Sequence, residues 1–228
     1  MVKNKLAHCI RQVIILVIVL VLCSCNSTTE RVNLETLDKN LYEQSWLIGK
    51  PCNAPCWNGL EPGKSSRKDS ISTAKQLAFI NGDSVVLANS QGAAFLCKEP
   101  PDLYCVTMTF ENGILENLSI TPNYDITIDQ AVEKLGTPDG FLVRPMYPDA
   151  GGCRLQVIWK KQRLILEHTE GIVSIFDFRN DLCEQVKQND GKLPPHIILE
   201  RVNITNSNQM ESILKGDILK IWKGFTQD

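Results

Sequence analysis

The chain has 228 residues, of which 43% are hydrophobic and 22% are charged. These proportions are those of a globular protein and exclude an intrinsically disordered chain. The 24 Lys and Arg residues nearly balance the 26 Asp and Glu residues, and no basic block occurs along the sequence. The chain therefore lacks the clustered positive charge with which proteins bind nucleic acid, and we expect no nucleic-acid partner.

An apolar run near the N-terminus predicts export from the cytoplasm. Lys3, Lys5 and Arg11 precede a run of consecutive apolar residues at positions 13–22. A basic segment followed by a short apolar segment is the layout of a secretory signal peptide. The run covers about 15 Å as a helix, roughly half of the hydrocarbon core of a bilayer, so it favours a signal peptide over a spanning helix.

The residues after this run resemble the lipobox of bacterial lipoproteins. Leu22, Cys23, Ser24 and Cys25 provide the branched apolar residue, two small residues and the cysteine of that motif. The resemblance implies that the Cys25 sulfur receives a diacylglyceryl group and that residues 1–24 are then removed. Two acyl chains suffice for stable anchoring, so we expect a lipoprotein on the extracytoplasmic face of a cell-envelope membrane. A conventional signal peptide and an uncleaved anchor are the alternatives.

The nine cysteines fall into groups with different expected roles. Cys9 and Cys23 leave with the signal peptide, and Cys25 is the expected site of lipidation. The remaining cysteines form an even set of six, which in an exported protein predicts three disulfide bonds. Many connectivities are open to six cysteines, and proximity in the sequence favours the pairs Cys52–Cys56, Cys97–Cys105 and Cys153–Cys183.

The pair Cys52 and Cys56 has a second interpretation, a thiol-redox or copper-handling site. Both lie in the segment 52–63, whose two prolines and two glycines exclude a regular helix or strand. Thioredoxin-type pairs have two intervening residues rather than three, and lie near a strand-to-helix junction. A metal site needs further ligands, and only His168 and His196 remain after removal of the signal peptide. We therefore expect a structural disulfide here, and no bound metal or cofactor.

The first half of the domain predicts two helices and several strands. Apolar residues at helical spacing indicate a helix over 33–46 that ends before Gly49. A second helix begins at the N-cap Ser66, with Asp69 completing a capping-box pattern, and ends at the turn 81–83. Asn-Gly at 112–113 favours a type I′ hairpin. The predicted strands are 84–88, 93–97, 104–110 and 114–120.

The same pattern begins again in the second half. Thr127 and Gln130 form the capping box of a helix that Gly136 ends. Alternating apolar residues then indicate strands at 141–143, 155–159, 163–168, 172–178 and 197–204. A loop is expected at 144–152, a polar linker at 184–195, and a C-terminal helix at 207–222 that is interrupted near Gly216.

We expect an α+β fold made of two helix-plus-antiparallel-meander repeats, a C-terminal helix and disulfide staples. When the two halves are aligned, Phe110 and Trp159 occupy the same position, each immediately before a tight turn. The expected organisation is a signal peptide (1–24), a polar tether (25–32) and one domain (33–228) that contains the repeats (about 52–122 and 123–180) and a C-terminal strand and helix (about 195–223).

Two helix-opening segments resemble those of SmpA/OmlA-type lipoproteins and of β-lactamase inhibitor proteins. They are the segments 59–66 and 127–138, and the second ends in Leu-Gly-Thr-Pro. The resemblance implies a helical segment laid on an antiparallel sheet, with roles in protein binding and envelope assembly. The whole chain also resembles uncharacterised, cysteine-containing bacterial surface lipoproteins, from which no function follows.

The sequence contains no familiar catalytic motif. A nucleophile elbow, a Walker loop, a dinucleotide fingerprint and the zinc motif HExxH do not occur in it. His168 lies on the same face of its predicted strand as Leu164 and Leu166, so we expect it to be partly buried and hydrogen-bonded. We expect no catalytic residues, and a non-enzymatic module that binds a protein or another component of the envelope.

Overall fold

In the computed structural model of the protein, eight antiparallel strands form a single sheet that is accompanied by five helices. This description holds for residues 44–86, 89, 91–99, 101, 103–122, 124–147, 151–170, 182–216 and 219–226. The predicted signal peptide, Cys25, the tether, the start of the first predicted helix and the predicted strand 172–178 lie outside the described residues.

The helices and strands follow the α+β pattern that the sequence predicts. The helices are α1 (Ser45–Ile48), α2 (Arg67–Lys75), α3 (Ile128–Leu135), α4 (Leu182–Gln188) and α5 (Ser207–Gly216). The strands are β1 (Ile80–Val86), β2 (Gly92–Cys97), β3 (Tyr104–Glu111), β4 (Ile114–Ile120), β5 (Gly140–Tyr147), β6 (Gly151–Trp159), β7 (Leu164–Glu170) and β8 (Arg201–Thr205). Their order in the sheet is β1-β2-β3-β4-β8-β7-β6-β5.

The two faces of the sheet are covered by different helices. Leu164 and Leu166 of β7 lie in the main core, to which α2, α3 and α4 contribute apolar side chains. Ile165, between them, belongs to a smaller cluster on the other face, where Met210 of α5 packs. This alternation is the period of two expected of a strand with both faces covered. Each fully buried side chain of this size stabilises the fold by about 1.5–3 kcal/mol.

The predicted helix caps are confirmed. The Ser66 hydroxyl accepts a hydrogen bond from the Asp69 backbone N–H at 3.1 Å. Thr127 and Gln130 form a reciprocal capping box at the start of α3. Gly136 ends α3 with a positive φ of 81°, a conformation that glycine adopts without steric cost. None of the described helices is long and apolar enough to cross a membrane.

The prediction that the second helix continues to the turn 81–83 is wrong. Helix α2 ends at Lys75, and residues 81–83 belong to β1. Gly82 explains the tight reversal, since a Cβ atom at this position would lie 2.7 Å from the Lys75 carbonyl oxygen. Only glycine therefore fits where the strand passes the end of the helix, and this glycine marks close backbone approach rather than a turn.

The loop predicted at 144–152 is also mostly strand. Strand β5 extends to Tyr147 and β6 begins at Gly151, with Arg144 opposite Arg154 and Pro145 opposite Cys153. Because β5 is the last strand in the sheet order, a proline can occupy it without removing a hydrogen bond from the interior of the sheet.

Two predictions for the C-terminal third need correction. The polar linker predicted at 184–195 contains α4, whose Leu182 and Val186 are buried in the core. The C-terminal helix predicted at 207–222 ends at Gly216, close to the predicted interruption. The chain beyond it runs along β5, where Phe141 and Lys220 exchange two backbone hydrogen bonds of 3.0 and 2.9 Å. This contact covers part of the sheet edge. Residues 219–222 are therefore not helical, although the spacing of their apolar side chains predicts a helix.

The structure pairs the six cysteines of the domain as proximity in the sequence predicts. The Cα atoms are 5.6 Å apart in Cys52–Cys56, 5.1 Å apart in Cys97–Cys105 and 5.6 Å apart in Cys153–Cys183. These separations lie in the range typical of disulfide bonds. The third bond attaches α4 to β6 and so holds a helix that has few apolar residues of its own.

The disulfides should differ in their contributions to stability. Replacement of Cys153 and Cys183 by Ala should lower the free energy of unfolding by about 3 kcal/mol, and replacement of Cys52 and Cys56 by about 2 kcal/mol. The reason is that the first bond closes a separation of 30 residues and the second closes only 4. Urea unfolding followed by tryptophan fluorescence measures both, and the reverse order would contradict the loop-closure explanation.

Candidate functional site

The segment 52–63 is a disulfide-closed loop built over a buried tryptophan. Trp57 is fully buried, and it exchanges two backbone hydrogen bonds of 2.8 Å with Leu60. The Cys52–Cys56 bond is half-buried at the surface of this loop, and the Gly59 N–H donates to the Cys52 Sγ at 3.4 Å. These contacts agree with the structural disulfide that the sequence predicts, and a thiol-redox or copper-handling role stays the alternative hypothesis.

The candidate metal ligands of the sequence do not gather into a metal site in the described part of the chain. Among the described residues, no three His, Cys, Asp or Glu side chains come together as they would around a metal ion. His168 is half-buried, and its Nδ1 lies 2.8 Å from the Ile198 carbonyl oxygen. His168 is thus partly buried and hydrogen-bonded, as predicted. The His196 Nδ1 lies 3.7 Å from the Asp129 Oδ2 at the start of α3.

A polar groove lies where the β3–β4 hairpin, the β6–β7 turn and the start of α5 meet. Its volume is about 390 Å³, and its walls come from residues 62–64, 111, 114–116, 163 and 206–208. We call this the junction groove. Its lining carries both signs of charge, with Lys64 and Arg163 beside Glu111 and Glu116, so it suits a polar partner more than an apolar ligand.

The base of the junction groove is held by a charged triplet that joins distant parts of the chain. The Arg163 Nη2 donates to the Glu61 Oε1 at 2.6 Å, and the Arg163 Nη1 donates to the Pro62 carbonyl oxygen at 3.1 Å. The Lys64 Nζ lies 2.9 Å from the second oxygen of Glu61. The Lys64 hydrogen bond lowers the pKa of Glu61 below its ordinary value of 4.5, burial raises the pKa, and the Arg163 hydrogen bond lowers it further.

Backbone contacts fix the opposite wall of the groove. Gly63 has a φ of +89°, and its N–H donates to the Leu115 carbonyl oxygen at 2.7 Å. Asn206 caps α5 by accepting a hydrogen bond from the Gln209 N–H at 2.7 Å, and its own N–H donates to Glu116. These hydrogen bonds connect the loop at Gly63, strand β4 and the start of α5.

A second hollow continues the groove along the outside of the β3–β4 hairpin. Its volume is about 710 Å³, and Glu111 and Glu116 line both cavities. Gln91, Thr109 and Asn112 complete a polar surface. The two hollows together form an extended depression that accommodates a segment of chain more readily than a compact small molecule.

The residues that line the junction groove are not recognisable as a site in the sequence. Its lining residues are separated by up to about 150 positions, from Pro62 to Asn208, and they share no spacing or motif. The one residue that could have indicated the groove is Gly63. In the structure it has a positive φ and lies close to the Asn206 Cβ, where two distant segments meet.

Comparison of the chain with family models, with curated proteins and with solved structures found no match.

The Glu61–Arg163 pair should make a pH-dependent contribution to stability. At pH 7, Glu61→Gln should lower the free energy of unfolding by about 1 kcal/mol, because both side chains are only partly shielded from water. A carboxyl whose pKa is lowered by folding stabilises the native state above its unfolded pKa, and this contribution disappears as pH falls through the folded pKa.

The measurement is urea unfolding of wild type and Glu61→Gln at pH 7 and at several values below 4.5, the ordinary pKa. The difference between the two proteins should shrink on acidification. Glu111→Gln, on the wall of the same groove, is the matched control and should change stability little. A cost of Glu61→Gln that is the same at every pH would contradict the ionic explanation.

Proposed function

We propose that the protein is an extracytoplasmic lipoprotein, anchored through Cys25, whose domain binds another component of the cell envelope without catalysing a reaction. One observation carries the anchor: Cys25 ends a lipobox-like sequence, and the six cysteines that follow it lie in three disulfide-distance pairs. Disulfides persist in oxidising compartments outside the cytoplasm. The pairing leaves Cys25 without a partner among the downstream cysteines, as expected of a lipidated residue.

We further propose that the domain consists of two related units. The central strands of the sheet support this, since residues 114–121 read Ile-Leu-Glu-Asn-Leu-Ser-Ile-Thr and residues 198–205 read Ile-Leu-Glu-Arg-Val-Asn-Ile-Thr. Five of these eight positions are identical. We call each segment the octapeptide of its unit. The agreement covers the apolar positions and also the one acidic position, Glu116 and Glu200, so strand patterning alone does not account for it.

The pairing of the two octapeptides also supports a duplication. Ser119 lies opposite Asn203, and these residues occupy the same position of the two octapeptides. Leu118 lies opposite Ile204, and Ile120 lies opposite Val202, which are reciprocal pairs under the same alignment. Such reciprocity is the property of a two-fold axis between equivalent elements. The axis would pass between Ser119 and Asn203.

The connection between helix and octapeptide is the same in both halves. Ser66, the N-cap of α2, forms a β-bridge with Ile114, and Thr127, the N-cap of α3, forms a β-bridge with Ile198. Ile114 and Ile198 are the first residues of the octapeptides. Two helices that begin in the same way, against the same position of related strands, are expected if one unit was duplicated.

This alignment changes the boundaries of the proposed repeat. One unit would run from α2 to β4 and the other from α3 to β8, with α4 inserted before β8. The C-terminal strand would then belong to the second unit, instead of following it. The β3–β4 hairpin would correspond to β7 and β8, so Phe110 and Trp159 would no longer share a position.

The junction groove is our candidate for the binding site of the domain. The β3–β4 hairpin belongs to the first proposed unit and Arg163 belongs to the second, whereas the 62–64 loop precedes the first unit and the start of α5 follows the second. Ligand sites occur preferentially where two structural units meet. The mixed charges and the extended shape of the groove favour a polar segment of a protein as its partner.

Replacement of the lipidation residue tests the anchor. In a bacterial host fed an alkyne fatty acid, Cys25→Ala should lose the acyl label and remain as the uncleaved precursor. Cys23→Ala is the matched control, since Cys23 lies two positions earlier and should not be modified, so this variant should keep the label. Unchanged labelling of Cys25→Ala would contradict the lipoprotein assignment.

Site-specific photo-crosslinking in intact cells tests the binding function. A photoreactive residue at Glu111 or Asn208, both on the groove wall, should give one discrete adduct of higher mass. The same residue at Ser72, on the exposed side of α2, is the control and should not give that adduct. Absence of a groove-specific adduct would contradict the junction groove as the binding site.

A further inference from the structure

One large apolar side chain is far more exposed than the others in the described part of the chain. Ile221 is 76% exposed, compared with 47% for Val86, the next in order. The residues on both sides of Ile221 are held by contacts with the rest of the domain. Lys220 forms two backbone hydrogen bonds with Phe141, and Trp222 packs edge-to-face on Phe225 with ring centroids 5.1 Å apart. Ile221 is therefore held outward between two fixed positions.

Lysines surround this side chain. Lys187, Lys220 and Lys223 line a shallow hollow of about 420 Å³ together with Ile221 itself. Among the described residues, Asp190 is the one acidic residue in the lining of this hollow. We call Ile221 and the three lysines the Ile221 patch. An exposed aliphatic side chain ringed by lysines is the combination that binds the interface of an anionic membrane, since the apolar group enters the headgroup region and the cations contact phosphates.

The acidic partners of these lysines do not remove the positive charge. The Lys223 Nζ lies 2.9 Å from the Asp190 Oδ2, and the Lys187 Nζ lies 3.1 Å from the Glu184 Oε2. Both are surface ion pairs, with the Asp190 side chain 89% exposed, and such pairs contribute little in water. Even with Glu184 counted, the lysines exceed the acidic residues, and either pair can open to admit a lipid phosphate.

We propose that the Ile221 patch is a membrane-contact surface that docks the domain on anionic phospholipids. The proposal rests on the lipid anchor proposed above, and it adds an orientation that the anchor does not supply. A lipid on a polar tether does not by itself select which face of the domain meets the bilayer, and the Ile221 patch supplies the surface chemistry that would.

The test uses the lipidated full-length protein in vesicles of phosphatidylglycerol and phosphatidylcholine that carry brominated acyl chains. Bromine quenches tryptophan emission only at short range. Ile221→Trp is compared with Val86→Trp, a control at the next most exposed large apolar side chain, after subtraction of the wild-type signal. Quenching should be about twofold stronger or more for Ile221→Trp, and it should decline in high salt because the lysine contacts are screened.

A charge-reversal arm completes the test. The variant with Lys187→Glu, Lys220→Glu and Lys223→Glu, made in the Ile221→Trp background, should lose the specific quenching while it still floats with the vesicles. Unchanged urea midpoints verify that each variant is folded. Flotation and the mass of the acyl group test the lipid anchor independently of the Ile221 patch. Flotation with equal quenching at both tryptophan positions overturns the Ile221 patch alone, whereas absence of flotation overturns the anchor and the patch together.

Discussion

The pairing of β8 with both β4 and β7 makes a single sheet out of two separate meanders. Strands β1–β4 are joined by local connections, and so are strands β5–β7. No strand of one group pairs with a strand of the other, because β8 lies between β4 and β7. Val202 and Ile204 of β8 are fully buried and lie opposite Ile120 and Leu118 on one side and Leu166 and Leu164 on the other. One short strand therefore satisfies two rows of backbone hydrogen-bonding groups and closes the core.

The elements that follow from local chemistry could be predicted from the sequence. Asn112 and Gly113 both have positive φ, as the Asn-Gly turn requires, and Thr127 and Gln130 form the capping box that their spacing indicates. In each case the residues that determine the conformation lie within four positions of each other. The disulfide pairs also followed from short separations, and the alternation of apolar residues indicated the antiparallel sheet.

The features that could not be predicted depend on contacts between distant segments. The short helix α4 has only Leu182 and Val186 in the core, and it is held by its disulfide to Cys153 rather than by a periodic apolar face. The sequence alone predicts that the turn at Gly82 ends a helix, but in the structure Gly82 permits a strand to pass the Lys75 carbonyl group. The junction groove has the same origin, because its walls meet only after the whole sheet has formed.

The position of β8 in the chain has a consequence for biogenesis. Residues 201–205 are made about 80 positions after β4, so the loop that their pairing closes is long and forms slowly. Until β8 has been synthesised, β4 and β7 each expose an unpaired strand edge and apolar side chains that are buried in the folded protein. Such an edge can pair with another chain and lead to aggregation. During that interval, a chaperone that covers exposed strand edges would protect the chain from association.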